Sequence, residues 1–149
     1  MKISTKGRYG VRLMLDLASH CEQGPVLLKD IAARQEISEK YLWHLIPPLK
    51  NAGMIRSTRG AHGGYSLAKS PARITLKDIV SVLEGSLCLV ECVDNPSVCK
   101  RSKICVSRDI WCEAAQNLMQ KLTSFSLEKM VEKERIKQES AADRYTYFI

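Results

Sequence analysis

Five of the six cysteines in this 149-residue chain, Cys88, Cys92, Cys99, Cys105 and Cys112, fall within 25 residues. No pair has Cys-x-x-Cys spacing, so a zinc ribbon, a zinc knuckle and a thioredoxin-like redox pair all lose support. From Cys92 to Cys105 the pattern is Cys-x6-Cys-x5-Cys, on a stretch that contains Pro96 and no glycine. Lys100, Arg101, Lys103 and Arg108 surround these thiols. Neighbouring cations favour the thiolate, the form that binds metal or reacts with oxidants. Three thiolates on one loop can hold an iron–sulfur cluster, provided a fourth ligand comes from elsewhere. The same residues also suit a set of buried or reactive thiols without metal. Cys21 stands apart in the first helical pattern and reads as a buried small hydrophobe.

A second group of residues carries charge rather than sulfur. The formal net charge is +7, and residues 1–70 hold 11 Lys/Arg against 5 Asp/Glu while residues 71–149 hold 12 against 11. Nearly all the excess sits in the first half, as in a nucleic-acid-binding module joined to a neutral partner. A plain solvated basic face is the alternative. Hydrophobic content of 45% and charged content of 26% are globular averages and exclude a disordered or fibrous chain. No apolar run approaches the ~20 residues of a membrane helix. The start of the chain has no apolar export signal. These features lead us to expect a soluble cytoplasmic protein with no membrane association, whose cysteines are ligands or sensors rather than disulfides. There is no phosphate loop, catalytic triad pattern or His-Glu-x-x-His, so no enzyme is expected.

The elements that would position both groups follow from apolar periodicity. Tyr9, Leu13 and Leu17, with Val11, Met14, Leu15 and Ala18, recur at helical steps from Thr5 to about His20. Gly24-Pro25 ends that helix, and residues 27–34 predict a short amphipathic one. Glu36-Ile37-Ser38 is a tight connection, with Ser38 as N-cap and Glu39 placed well against the helix dipole. Tyr41, Leu42, Leu45, Ile46 and Leu49 give the next helix its inner face, leaving Glu39, Lys40, Trp43 and His44 to point elsewhere. Helix, turn and helix make a helix-turn-helix. Pro47-Pro48 is expected to break its second helix near Ile46, with a further turn ending at Gly53.

Residues 54–58 and 65–68 predict two short strands, and Arg59-Gly60-Ala61-His62-Gly63-Gly64 lies between them. A hairpin with a bare, cationic tip directly after a helix-turn-helix is a wing. The fold expected is therefore mainly α with a small β-hairpin wing, a winged helix-turn-helix. Thr75 and Asp78 resemble a capping box, followed by Ile79, Val80 and Leu83 on one face and Gly85 as terminator. Residues 86–105 are expected to be irregular. From about Val106 to Phe125 a wide apolar stripe (Ile110, Trp111, Ala114, Ala115, Leu118, Met119, Leu122) predicts a long helix. Such a stripe on a helix extending beyond a small domain is best covered by a twofold partner. A further short helix is expected after Ser126, with a charged and frayed stretch at 129–139. The divisions expected are a DNA-binding domain at 1–85, a cysteine-rich loop at 86–105, and a dimerisation helix with tail at 106–149.

These motifs resemble the bacterial winged-helix transcription regulators of the Rrf-two (Rrf2) family, over almost the whole chain. The resemblance rests on the opening Met-Lys-Ile-Ser-Thr-Lys-Gly-Arg-Tyr-Gly, on Ile37-Ser-Glu-Lys-Tyr-Leu with Leu49-Lys-Asn-Ala-Gly, and on Arg59-Gly-Ala-His-Gly-Gly-Tyr-Ser-Leu. Residues 79–85 and the Cys92, Cys99, Cys105 triplet add to it. It implies a homodimer that binds a palindromic promoter site on double-stranded DNA. Residues 38–44 would enter the major groove, and Arg59 with the wing (Gly60, His62, Gly63, Gly64, and Tyr65 at its base) would enter or flank the minor groove. Lys2, Lys6, Arg8, Lys40, Arg56 and Arg59 would neutralise phosphates, and Ser38, Tyr41 and His44 would donate or accept hydrogen bonds. In its IscR-like branch the triplet carries a 2Fe–2S cluster, and the resemblance implies control of cluster-assembly genes. The histidine that branch places three residues after the third cysteine is Arg108 here, its glutamate at position 43 is Trp43, and the first cysteine gap is one residue longer. The fourth ligand is thus open, with Cys112, Asp109 or a partner residue as candidates. A clusterless CymR-like branch of cysteine-metabolism repressors has a similar aromatic ending. That branch acts with cysteine synthase, which makes the ending at Ile149 a possible partner contact; docking of residues 145–149 on the dimer is the alternative.

Overall fold

The computed structural model describes residues 3–146. The elements run α1 (Thr5–Ser19), α2 (Leu28–Gln35), α3 (Glu39–Asn51), β1 (Ile55–Thr58), β2 (Gly64–Leu67), α4 (Leu76–Glu84), α5 (Glu91–Asp94), α6 (Val106–Thr123) and α7 (Leu127–Thr146). This is a winged helix-turn-helix followed by a helical C-terminal part. Among the described residues no helix is long and apolar enough to cross a membrane.

One core unites these elements. Leu13, Met14 and Leu17 of α1, Ile31 of α2, Leu42, Leu45 and Leu49 of α3, Ile55 of β1, Ile79 of α4 and Leu127 of α7 are fully buried in it or nearly so. Burying each such side chain stabilises the fold by roughly 1.5–3 kcal/mol. Ser38 caps α3 by accepting the Tyr41 N–H at 3.2 Å. Glu36, with φ of 52°, makes the left-handed turn between α2 and α3. The capping box of α4 forms as the spacing predicts: Asp78 accepts the Thr75 N–H at 2.9 Å and Thr75 accepts the Asp78 N–H at 3.2 Å.

β1 and β2 pair antiparallel, with Arg56 opposite Ser66 and Thr58 opposite Gly64. Val26 bonds Tyr65 in both directions at 2.8 Å, so the α1–α2 connection pins the hairpin. That contact requires glycine at position 64, where φ is 148° and a Cβ would lie 2.5 Å from the Val26 carbonyl oxygen.

Four local expectations are corrected. α3 runs unbroken through Pro47 and Pro48. Leu45, Ile46 and Leu49 on either side are held in the core, while the turn at Trp43 and His44, whose carbonyls lose their partners, faces solvent. Cys21 is exposed rather than buried and lies in a 3-10 turn beyond α1. The cysteine-rich stretch contains α5 and a 3-10 turn at Pro96–Val98 rather than being wholly irregular. Finally, 129–139 is not frayed but lies within the 20-residue α7. Its charges pair along the helix, Arg135 reaching Glu132 and Glu139 at 2.8 Å each, and the bond to Arg135 holds the Glu132 carboxyl below its usual range.

α7 is anchored at its first turn. The Leu127 N–H reaches the Ile74 carbonyl at 2.9 Å and the Leu76 N–H reaches that of Phe125 at 2.8 Å, so the α6–α7 joint is stitched to the start of α4. Leu127→Ala should therefore cost about 2–5 kcal/mol in urea unfolding with an unchanged m-value. A loss well under ~1 kcal/mol would show that α7 does not belong to this core.

Candidate nucleic-acid interface and cysteine segment

The exposed side of α3 carries Glu39, Lys40, Trp43 and His44, all facing solvent. Ser38 is also exposed, with one oxygen lone pair already committed to its own helix. Tyr41 differs. It is half-buried, with its ring edge-on to Tyr9 of α1 at 5.4 Å, so packing takes much of the surface that recognition would need.

Trp43 is 53% exposed and stands edge-on to Tyr65 at 6.1 Å, joining the exposed helix face to the base of the wing. Burial pushes the Tyr65 hydroxyl above its ordinary range, so it remains a neutral phenol. At the wing, Arg59, Gly60 and His62 are exposed, while Gly63 is buried, with no room for a side chain: a Cβ there would meet the Thr58 carbonyl oxygen at 2.4 Å. Arg56 spans the hairpin, donating from Nε to Ser66 Oγ at 3.1 Å. Lys6 and Arg8 are exposed near the start of α1. Lys2 lies outside the described residues, as do residues 147–149, which include the Ile149 end.

Structure adds residues that composition did not single out. Arg12 sits over the Tyr9 ring at 5.5 Å and is bonded to Gln35 of α2, and Lys50 Nζ donates to Ser57 Oγ on β1 at 2.8 Å. Arg12 follows Arg8 by one helical turn, a spacing that could have marked it as well. Arg34 is exposed but committed to an internal ion pair. It donates to the buried Asp16 from Nε at 3.0 Å and Nη2 at 2.6 Å, a bidentate pair that raises its pKa further.

Cys92, Cys99 and Cys105 are each partly buried, at the start of α5, after the 3-10 turn, and at the N-cap of α6 respectively. Among the described residues no three His, Cys, Asp or Glu side chains gather closely enough to hold a metal ion. Cys112 faces a different place, a cavity of about 590 Å³ that it shares with Cys88, Asp94 and Met119. Arg108 does not stand idle at the position of the resembled histidine: its Nε donates to the Cys92 carbonyl at 2.8 Å. The donor chemistry nevertheless fits an iron–sulfur group, with three soft thiols on one segment of short turns between cations. The segment would have to draw them together.

Comparison with known proteins accounts for this combination of wing and thiol-bearing segment. The Rrf2 family model, described as an iron-dependent transcriptional regulator, matches residues 3–133. Protein rrf2 of Nitratidesulfovibrio vulgaris is 48% identical over 127 residues, covering 85% of each chain. The structure of CymR (YrzC), the global cysteine regulator of B. subtilis, superposes with a TM-score of 0.76 at 41% identity, covering 89% of this chain and 98% of that one. The structure of T. potens IscR gives 0.74 at 42% identity, covering 90% and 88%. With an exposed helix and wing in place and a family match over most of its length, the chain belongs to the Rrf2 family of winged-helix transcriptional regulators, DNA-binding proteins rather than enzymes.

Proposed function

We propose that the chain acts as a homodimer on a palindromic promoter site, and that a 2Fe–2S cluster held by Cys92, Cys99 and Cys105 sets how it binds there. The observation that carries the cluster reading is the placement of three partly buried thiols on the one segment joining the DNA-binding half to α6. Dimerisation is supported by apolar surface that a single chain leaves bare: Ile104 is 74% exposed, Val106 70%, Ile110 58% and Trp111 43%. A row of this kind is too apolar to leave in water. A twofold axis along α6 would present two α3 helices to half-sites about one DNA turn, ~34 Å, apart.

In this reading the residues divide the work. Lys6, Arg8, Lys40 and Arg56 neutralise phosphates, and their contribution weakens with salt. Arg59, projecting from the wing, makes the contact that fixes register, while His44 and Ser38 offer hydrogen bonds from α3. Trp43 braces the wing against α3 through Tyr65. Cys92, Cys99 and Cys105 would hold the cluster, with a fourth ligand from Cys112, Asp109 or the second subunit. When bound, the group supplies sensitivity to iron supply and oxidation, and control of cluster-assembly genes is the role that fits. Its influence on DNA requires different positions of the segment in the two states.

A second reading, a clusterless cysteine-metabolism repressor, is favoured by one specific observation, the absence of a gathered donor set among the described residues. Its partner would be cysteine synthase, contacted through the Ile149 end.

Two measurements test these assignments. Arg59→Ala should weaken binding to the cognate duplex by about tenfold or more, and should flatten the log–log salt dependence by about one unit if a phosphate contact is lost. Unchanged affinity and slope would remove Arg59 from the interface. Protein isolated without oxygen should be coloured and contain iron and sulfide, and Cys92→Ala should bleach it. A colourless, iron-free wild-type preparation would transfer the case to the clusterless reading.

A further inference from the structure

We propose that Arg108 is the clasp of the cysteine segment, a positioning residue that ties the first and third cysteines of the triplet together rather than a ligand in place of histidine. Its backbone N–H donates to the Cys105 carbonyl at 3.1 Å, and its side-chain Nε donates to the Cys92 carbonyl at 2.8 Å. One residue on the first turn of α6 therefore grips both ends of the stretch 92–105.

Nothing within the stretch does the same. Its own bonds are local: Ser102 N–H to Cys99 at 3.0 Å, Ile104 N–H to Arg101 at 3.0 Å, and Ser97 N–H to the Asn95 side chain at 3.3 Å. Among the described residues the Arg108–Cys92 bond is the one side-chain hydrogen bond from α6 to this stretch. Closing a loop of this length costs chain entropy, and a charge-assisted bond in a half-buried setting offsets it.

Guanidinium chemistry suits a clasp and excludes a ligand. Arginine has five N–H donors and no lone pair to give a metal, and it stays charged. With Nε committed to the carbonyl, four N–H bonds on Nη1 and Nη2 remain to donate to a thiolate or a sulfide drawn close by the same closure. Lysine would keep the charge but lose the planar fork that lets one group serve two acceptors.

The inference toward the cluster rests on the reading of Cys92, Cys99 and Cys105 given above, so the experiment has two arms. The first uses cluster-free full-length protein and follows hydrogen exchange in peptides covering 91–105, comparing wild type, Arg108→Ala and Arg108→Lys. Arg108→Ala should exchange about tenfold or more faster there. Arg108→Lys should fail to restore protection, and the α1–α3 peptides should be unaltered in both. Unaltered exchange in the 91–105 peptides of Arg108→Ala would overturn the clasp. The second arm reconstitutes the proteins anaerobically with iron and sulfide and follows visible absorbance after addition of a chelator. Arg108→Ala should bleach several-fold faster than wild type, and an equal lifetime would overturn the role toward the cluster. Faster exchange in Arg108→Ala, together with a wild-type chain that takes up no iron, would uphold the clasp and overturn the cluster reading itself.

Discussion

The tight packing of α1 against α4 decides how the two halves are joined. A Cβ at Gly10 would stand 1.9 Å from the Leu83 side chain, and one at Gly7 would stand 2.2 Å from Glu84 Oε1. Glycine at both positions leaves room for the Leu83 and Glu84 side chains to lie against the α1 backbone. In that space the Glu84 carboxylate accepts the Ser4 N–H at 3.1 Å, the Ser4 hydroxyl at 2.6 Å and the Gly7 N–H at 3.0 Å. It therefore neutralises the positive end of α1 as well as satisfying its free donors. Lys6 and Arg8 project from the turn so fixed, and Gly85, the next residue after Glu84, opens the connection to the cysteines. The cationic end of α1 and the root of the thiol-bearing segment thus share one carboxylate.

The same logic sorts the charges. A net +7 counts every cation alike, but the fold does not. Arg34 is spent on Asp16, a carboxylate only 3% exposed that would be costly to leave unpaired. Arg12 lies over Tyr9 and bonds Gln35, tying α1 to α2. Lys6, Lys40 and Arg59 have no such ties among the described hydrogen bonds and ion pairs, which leaves their charge available to a polyanion. Basic character in the first half is therefore partly structural, and the cations with no internal partner among the described residues are better guides to the proposed recognition face than the total is.

How much of this was legible beforehand depends on how local each cause is. Ser38, the Thr75–Asp78 box and the glycine-rich hairpin were readable because caps and turns are settled within three or four residues. Pro47-Pro48 misled because core burial on both sides overrides a local backbone penalty, and 129–139 misled because its charges pair along a helix already docked by Leu127. Cys21 was placed inside by its residue type, but α1 ends at Ser19 and Cys21 falls in the exposed 3-10 turn beyond. In the candidate site, residue types were legible and neighbours were not. The cysteine spacing singled out candidate donors, but that Cys112 shares a cavity with Cys88, and that Arg108 holds Cys92 from 16 residues away, are facts of tertiary closure.

The scale of regulation this architecture needs is small. A tenfold change in DNA affinity corresponds to ~1.4 kcal/mol, about the net worth of one or two hydrogen bonds. The Glu84 carboxylate holds three at the end of α1, one residue from the connection that leads to Cys88 and Cys92. On the proposed reading, a shift of that connection would lengthen such bonds and loosen the cationic turn they hold. On the proposed regulatory reading no large domain rotation is required, because a tenfold effect needs only a ~1.4 kcal/mol difference in a ligand's affinity for the two states.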